Sequence, residues 1–284
     1  MVVAYSTSGE SKVLDGFPAC QEVETTVQPA AAKAPGSIAV LHKALDILEA
    51  LQIADGPQSL DQLAAATGVA RSTAHRLLKN LLARGYLERG ATSKYTLGLK
   101  LLELGGAVRQ RQSVRDIARP VMLELRDRLG ETINLGKVRG DSVLYLETVE
   151  SVHAFRVSGS LGIRDPLHVT SIGKAILAWL PLERRPVLTK WTRLTPNTIT
   201  DPVRFCEELA VTRARGYALD DEESMQGGRC IGVPVLQNGL PVAGLSVSGP
   251  VARISSDRVP EIAELLKTAA ATIAMQLRMH PDTD

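Results

Sequence analysis

Cysteine and aromatic side chains are scarce in this chain of 284 residues, and no apolar run is long enough to cross a bilayer. The three cysteines, Cys20, Cys206 and Cys230, lie far apart. They are too few for a disulfide framework and offer no CxxC pair for zinc or redox work. Ten aromatic residues, 4% of the chain, argue against gripping single strands by base stacking. No stretch approaches the ~18–20 apolar residues of a membrane helix. Residues 1–36 also lack the basic-then-apolar pattern of a secretory signal, so the expected setting is the cytoplasm, with no membrane partner. The histidines at 42, 75, 153, 168 and 280 show no HxxxH or HExxH spacing, and no GxxxxGK[ST] loop occurs. Neither a metal nor a cofactor is therefore expected.

Hydrophobic residues make up 44% and charged residues 23%, ordinary for a globular chain with a real core and, at this length, two domains. The net charge of +2 is unevenly spread. Residues 1–36 carry −2, residues 37–112 carry +4, and residues 113–284 are neutral. A polyanion partner is therefore sought in the short basic block.

Residues 1–36, which end in the low-complexity PAAAKAPG, read as a disordered tail. From Ser37, a potential cap, Leu41, Ala44, Leu45, Leu48 and Leu51 repeat with helical spacing until Asp55-Gly56-Pro57. Ser59 and Gln62 form a capping-box pair for a second helix ending near Thr67-Gly68. A third helix spans roughly Ala70 to Arg84, and the stretches 86–89 and 94–97 pair as a hairpin. Three helices and a hairpin make residues 37–97 a winged helix-turn-helix. The segment 98–112, apolar early and basic late, reads as a linker helix whose leucines call for a partner helix from a second subunit. Residues 113–284 alternate: a helix at 114–129, strands at 132–138 and 142–149, and a further strand at Phe155–Val157. Helices at 171–180 and 202–215, strands at 230–236 and 241–248 around Asn238-Gly239, and a last helix at 256–277 complete an α+β domain with an antiparallel sheet.

On the third helix Ala74, Leu77, Leu78, Leu81 and Leu82 define a buried stripe. The other side carries Ser72, Arg76 and Lys79, flanked by Thr73 and His75. Alone, such a face is more often merely solvated. The capped helix before it and the wing after it point instead to a recognition helix in the major groove of double-stranded DNA. Arg71 and Lys79 are then expected on phosphate, Ser72, Thr73, His75 and Arg76 nearer the bases, and Lys94 of the wing on phosphate.

The stretch SLDQLAAATGVARSTAHRLLKNLLARGYLER followed by KYTLG resembles the DNA-binding half of the IclR-type bacterial transcriptional regulators. PLHVTSIGKAILA, RARGYALDDEE, GGRCIGVPV and AGLSVSGP are similar to the successive signatures of that family's effector domain, in the same order, over residues 37–280. The resemblance implies a homodimer or dimer of dimers on a palindromic operator, repressing or activating, with a GAF-like domain that binds a small metabolite. It further implies that Ser171, Ile172, Asp220, Cys230, Ser246 and Ser248 contact this effector. Ser171-Ile172 is bulkier than the pair in some members, which bears on pocket volume.

Residue chemistry accords with a small hydroxy or oxo acid as the effector. Ser246 and Ser248 sit two apart on a strand and face one side, and Ser171 opens a helix whose N-terminus favours a carboxylate. The acidic run Asp220-Asp221-Glu222-Glu223 reads as a solvated loop rather than a metal site. Two rivals stand beside the regulator. One is a small thiol hydrolase using Cys230 with His168 or His153, carrying a DNA-binding appendage; the other is a C-terminal module that dimerises and senses nothing.

Overall fold

The structure, a computed structural model, describes residues 38–90, 92–110, 113–157 and 164–279. The described residues up to 110 form one compact unit and those from 113 onward a second.

The first unit opens with α1 (Ala39–Ile53), which follows Ile38 without a side-chain cap; Ser37, the expected cap, lies outside the described residues. Ile47 and Leu51 are the buried residues of α1, whereas Leu41 and Leu45 stay exposed. The leucine repeat read from the sequence is thus split between an inner and an outer face. Helix α2 (Leu60–Thr67) has the expected capping box: the Gln62 amide donates to Ser59 Oγ at 3.2 Å, and the Ser59 amide to Gln62 Oε1 at 2.8 Å. Gly68 ends it with φ 65°, the left-handed conformation a helix C-cap requires. Helix α3 (Arg71–Ala83) buries Ala74, Leu77 and Leu78 against α1 and α2. Strands β1 (Leu87–Arg89) and β2 (Tyr95–Leu97) form the hairpin, and Gln58 bridges to Tyr95 on its outer edge. Helix α4 (Leu99–Gln110) leaves Leu99, Leu102 and Leu104 exposed.

The second unit opens with α5 (Ser113–Leu129), followed by β3 (Thr132–Arg139), β4 (Ser142–Val149) and β5 (Arg164–Pro166). Next come α6 (Ser171–Trp179), α7 (Pro202–Arg215), β6 (Ala218–Asp221), β7 (Gly228–Gln237), β8 (Leu240–Pro250) and α8 (Val259–Met279). Six strands form one antiparallel sheet in the order β5-β4-β3-β8-β7-β6. Alternate residues Ile133, Leu135, Ile231, Val233, Leu245 and Val247 face α5 and α8 and build the main core. Helix α6 covers part of the opposite face, and α7 packs outside it.

One sequence expectation is corrected. Residues Phe155–Val157 are not a strand: Phe155 is exposed, and its carbonyl accepts a hydrogen bond from Arg253 instead of from a strand neighbour. The sheet is completed by β5, paired with the start of β4.

Candidate functional sites

In the first unit the recognition-helix candidates fall on one polar surface. Arg71, Ser72, His75, Arg76 and Lys79 are exposed, Thr73 is half-buried, and Lys94 is exposed on the wing side. Arg71, Ser72 and His75 also line a groove of about 750 Å³ between α3 and the hairpin; Arg76, Lys79 and Lys94 lie outside it. The groove contains residues that the sequence reading did not single out. Arg89 donates through Nε to the Ser93 carbonyl at 3.4 Å and stacks 5.5 Å above the Tyr95 ring, which orders its guanidinium. Asp61 of α2 accepts from Arg71 Nε at 2.5 Å.

In the second unit, strand register brings the effector candidates together. Thr132, Ser248, Cys230 and Asp220 occupy one row across β3, β8, β7 and β6. Asn134, Ser246 and Gly232 form the next row. These rows alternate with the main-core residues and so face the side where α6 lies. Ser171 passes directly over Gly232, where an added Cβ would stand 2.5 Å from the Ser171 carbonyl oxygen. Ile172 is seated on Gly244, where a Cβ would stand 2.8 Å from Ile172 Cγ2. The Ile172 side chain therefore belongs to the helix–sheet packing. The α6 N-terminus is fixed by Thr170, whose hydroxyl accepts from the Gly173 amide at 3.0 Å.

The strip is buried and polar: Asn134, Asp220, Ser246 and Ser248 have almost no exposed surface. Such groups must be hydrogen-bonded. Asn134 Nδ2 donates to Ser248 Oγ at 3.1 Å, and Thr148 Oγ1 to Asn134 Oδ1 at 3.1 Å. Asp220 accepts from the Glu223 amide at 2.9 Å, the Ser224 amide at 3.1 Å and the Ser224 hydroxyl at 2.5 Å. Burial pushes the Asp220 carboxyl up, against the pull of these donors. Burial, reinforced by the Asp220 charge, also holds the Cys230 thiol well above its ordinary value.

The acidic run is not a solvated loop. Asp220 and Asp221 belong to β6, and alternation along the strand turns Asp220 inward. Glu223 is buried against Lys174 of α6, whose ammonium lies 2.5 Å from Glu223 Oε1 and also donates to the Leu219 carbonyl. Burial pushes Glu223 up to about 7 in spite of that cation. The Thr198 hydroxyl donates to the Glu223 carbonyl at 2.7 Å, which anchors the same loop from a third side. Asn134, Thr148 and Lys174 went unread in the sequence, and Glu223 was read there only as part of a solvated run. The one available signal was Lys174, a lone charge within the otherwise uncharged SIGKAILAW.

A winged helix and a separate α+β domain with a buried polar strip are the parts of a bacterial transcriptional regulator. The sequence matches "Bacterial transcriptional regulator IclR C-terminal" over residues 106–275 and "IclR helix-turn-helix domain" over residues 40–91. It is 37% identical to the HTH-type transcriptional regulator BhcR of Paracoccus denitrificans, over 87% of this chain and 90% of that protein. Among solved structures it resembles Thermotoga maritima IclR, with a TM-score of 0.65, 34% identity, and 84% and 98% of the two chains covered. It also resembles an IclR homolog complexed with 4-hydroxybenzoate from Microbacterium hydrocarbonoxydans, with a TM-score of 0.72, 28% identity, and 84% and 99% covered. The chain belongs to the IclR family of transcriptional regulators.

Proposed function

We propose that this regulator binds a palindromic operator as a homodimer or dimer of dimers in the cytoplasm, and that a small hydroxy or oxo acid controls the binding. The domain limits are those read above: a tail at 1–36, the winged helix at 37–97, a linker at 98–112 and the effector domain at 113–284. On DNA, Arg71, Lys79 and Lys94 take phosphates while Ser72, Thr73, His75 and Arg76 lie nearer the bases. In the effector domain Ser171, Ile172, Asp220, Cys230, Ser246 and Ser248 contact the acid, Ile172 through its backbone. The observation that carries this reading is the buried row Ser248–Cys230–Asp220, beside which the capped N-terminus of α6 crosses Gly232. Hydroxyls at one end and a carboxyl at the other suit a ligand that is an acid on one side and a hydrogen-bonding group on the other. A homolog of this fold holds 4-hydroxybenzoate, a molecule of that description.

The effector acts by population shift. It can move the equilibrium between two domain arrangements only by its differential affinity for them. Where the favoured arrangement matches the operator the acid is a corepressor, and where it opposes it, an inducer. The thiol-hydrolase reading is disfavoured by Cys230, whose thiol is pushed up where a nucleophile needs it lowered. His168 Nε2 is engaged with the Thr192 carbonyl at 3.0 Å, and His153 lies against Gly130.

A gel-shift titration with the DNA upstream of its own gene, at two salt concentrations and with competitor, tests the operator. A shift that survives competitor supports the reading, since phosphate contacts alone are sequence-blind and salt-dependent. Thermal melting with 4-hydroxybenzoate and a panel of small hydroxy and oxo acids tests the effector. An acid at ~100 times its Kd adds ~2.7 kcal/mol, and a panel without any shift would favour the non-sensing module.

A further inference from the structure

We propose that Asp61 is a specificity-determining positioning residue, which holds the Arg71 guanidinium for operator DNA and weakens the grip of the groove on other polyanions. The proposal rests on the DNA-binding reading above.

Asp61 Oδ1 accepts from Arg71 Nε at 2.5 Å, joining the first turns of α2 and α3. Both side chains are about 70% exposed, so the pair adds little to the stability of the fold. Nor is Asp61 needed to cap α2, because Ser59 and Gln62 already form the box. What sets the pair apart is its location. Asp61 is the acidic residue among those lining the groove, to which Arg71 of α3 and Arg89 of the wing both contribute a cation. The terminal nitrogens of Arg71 make no hydrogen bond among the described residues. Fixing Nε fixes the plane of the guanidinium, and the remaining N–H groups are left as a pre-oriented donor fork.

Two opposing consequences follow from one carboxylate. Its charge repels any phosphate brought into the groove, which lowers sequence-blind affinity. Its hydrogen bond spares the operator complex the ordering of a long side chain. Affinity for random DNA is reduced while the operator contact is retained, and the ratio between them widens.

The test begins with the full chain selecting a duplex from a randomised 30-bp pool. Anisotropy titrations then compare that duplex with a random-sequence duplex for wild type, Asp61→Asn, Arg71→Ala and the double variant. Asp46→Asn on α1 makes the same change in net charge outside the groove and serves as control. Asp61→Asn is expected to tighten random-duplex binding by about three- to tenfold at low salt, and, with operator affinity no tighter, to cut the operator-to-random ratio by the same factor. In the Arg71→Ala background it should change the ratio by less than about twofold, because the residue acts through Arg71. Melting curves monitored by circular dichroism verify that each variant is folded. An unchanged ratio in Asp61→Asn overturns the proposal. So does an equal fall without Arg71, or an equal effect of Asp46→Asn. Wild type that selects no sequence and binds no duplex removes the DNA-binding reading itself, a result distinct from these three.

Discussion

Lys174 and Glu223, 49 positions apart in sequence, meet at 2.5 Å with the lysine fully buried. The pair fastens α6, which borders the polar strip, to the loop whose amides hold Asp220. Glu223 Oε2 has no hydrogen-bond partner among the described residues, so this carboxylate is balanced by one cation and little else.

Removing that cation should be costly. Lys174→Met leaves Glu223 buried and unpaired, and ~3–5 kcal/mol of stability should be lost. The double change Lys174→Met, Glu223→Leu should recover a large part of it. Urea unfolding of the three proteins checks both values, and an equal loss in the double variant would show that the pair is not the source.

The same carboxylate makes stability depend on pH. Glu223 has a folded value of about 7, above its ordinary 4.5. Between those values the folded chain holds a proton that the unfolded chain has released. The contribution of Glu223 is therefore fully present below about pH 4.5 and is lost as pH rises through 7. Asp220, also pushed up, acts in the same direction. Burial lowers His168, which acts in the opposite direction over part of this range. The Glu223 share is therefore read by difference: the stability of wild type relative to Glu223→Gln should fall from pH 5 to pH 7.5 in denaturant titrations.

Gly232 is where the helix meets the sheet. A methyl group there meets the Ser171 carbonyl oxygen at 2.5 Å, so Gly232→Ala should push the α6 N-terminus outward. A cost of ~1–3 kcal/mol is expected, together with a weaker thermal shift by any acid that stabilises wild type. Gly239→Ala, in the hairpin turn with open space around it, should lower stability without touching the ligand response.

On the DNA side, Arg76→Ala should cost ~1–3 kcal/mol of operator affinity and relax the sequence preference. Lys94→Ala should weaken all duplexes alike and reduce the salt slope by about one. Both residues are exposed, so melting temperatures should stay near wild type. Competition titrations at several salt concentrations distinguish the two behaviours.

Leu99 and Leu102 are 69% and 67% exposed on α4, which is unusual for leucine on a short helix and accords with a partner helix. If α4 pairs with its copy in the dimer proposed above, Leu102→Glu should shift the protein toward monomer in sedimentation velocity and weaken operator binding more than random-duplex binding, because two half-sites would then bind independently. An unchanged sedimentation coefficient would remove α4 from the dimer interface.

Features encoded locally were readable from the sequence. The Ser59–Gln62 box, the Gly68 stop and the α3 stripe need only a few neighbouring residues; the structure has the first two and buries Ala74, Leu77 and Leu78 of the stripe, with Leu81 and Leu82 half-buried. Ser246 and Ser248 were readable too, because a two-residue period fixes their common face. What escaped depends on distant partners. β5 and β6 have three and four residues, and exist because β4 and β7 offer them an edge. The acidity of Asp220 to Glu223 suggests water, yet strand alternation and a lysine from another helix draw two of the four inside. On α1 two apolar stripes overlap, and tertiary packing decides that Ile47 rather than Leu45 turns inward.

The six-strand sheet ends in two flanks that discourage further pairing. At one, β5 is only three residues long and closes with Pro166, which has no amide hydrogen to give a neighbour. At the other, β6 is four residues long and contributes two aspartates, Asp220 and Asp221. A second copy therefore gains little by extending the sheet sideways. Strand-to-strand growth, the route that leads to fibres, is thereby disfavoured at both edges of the sheet.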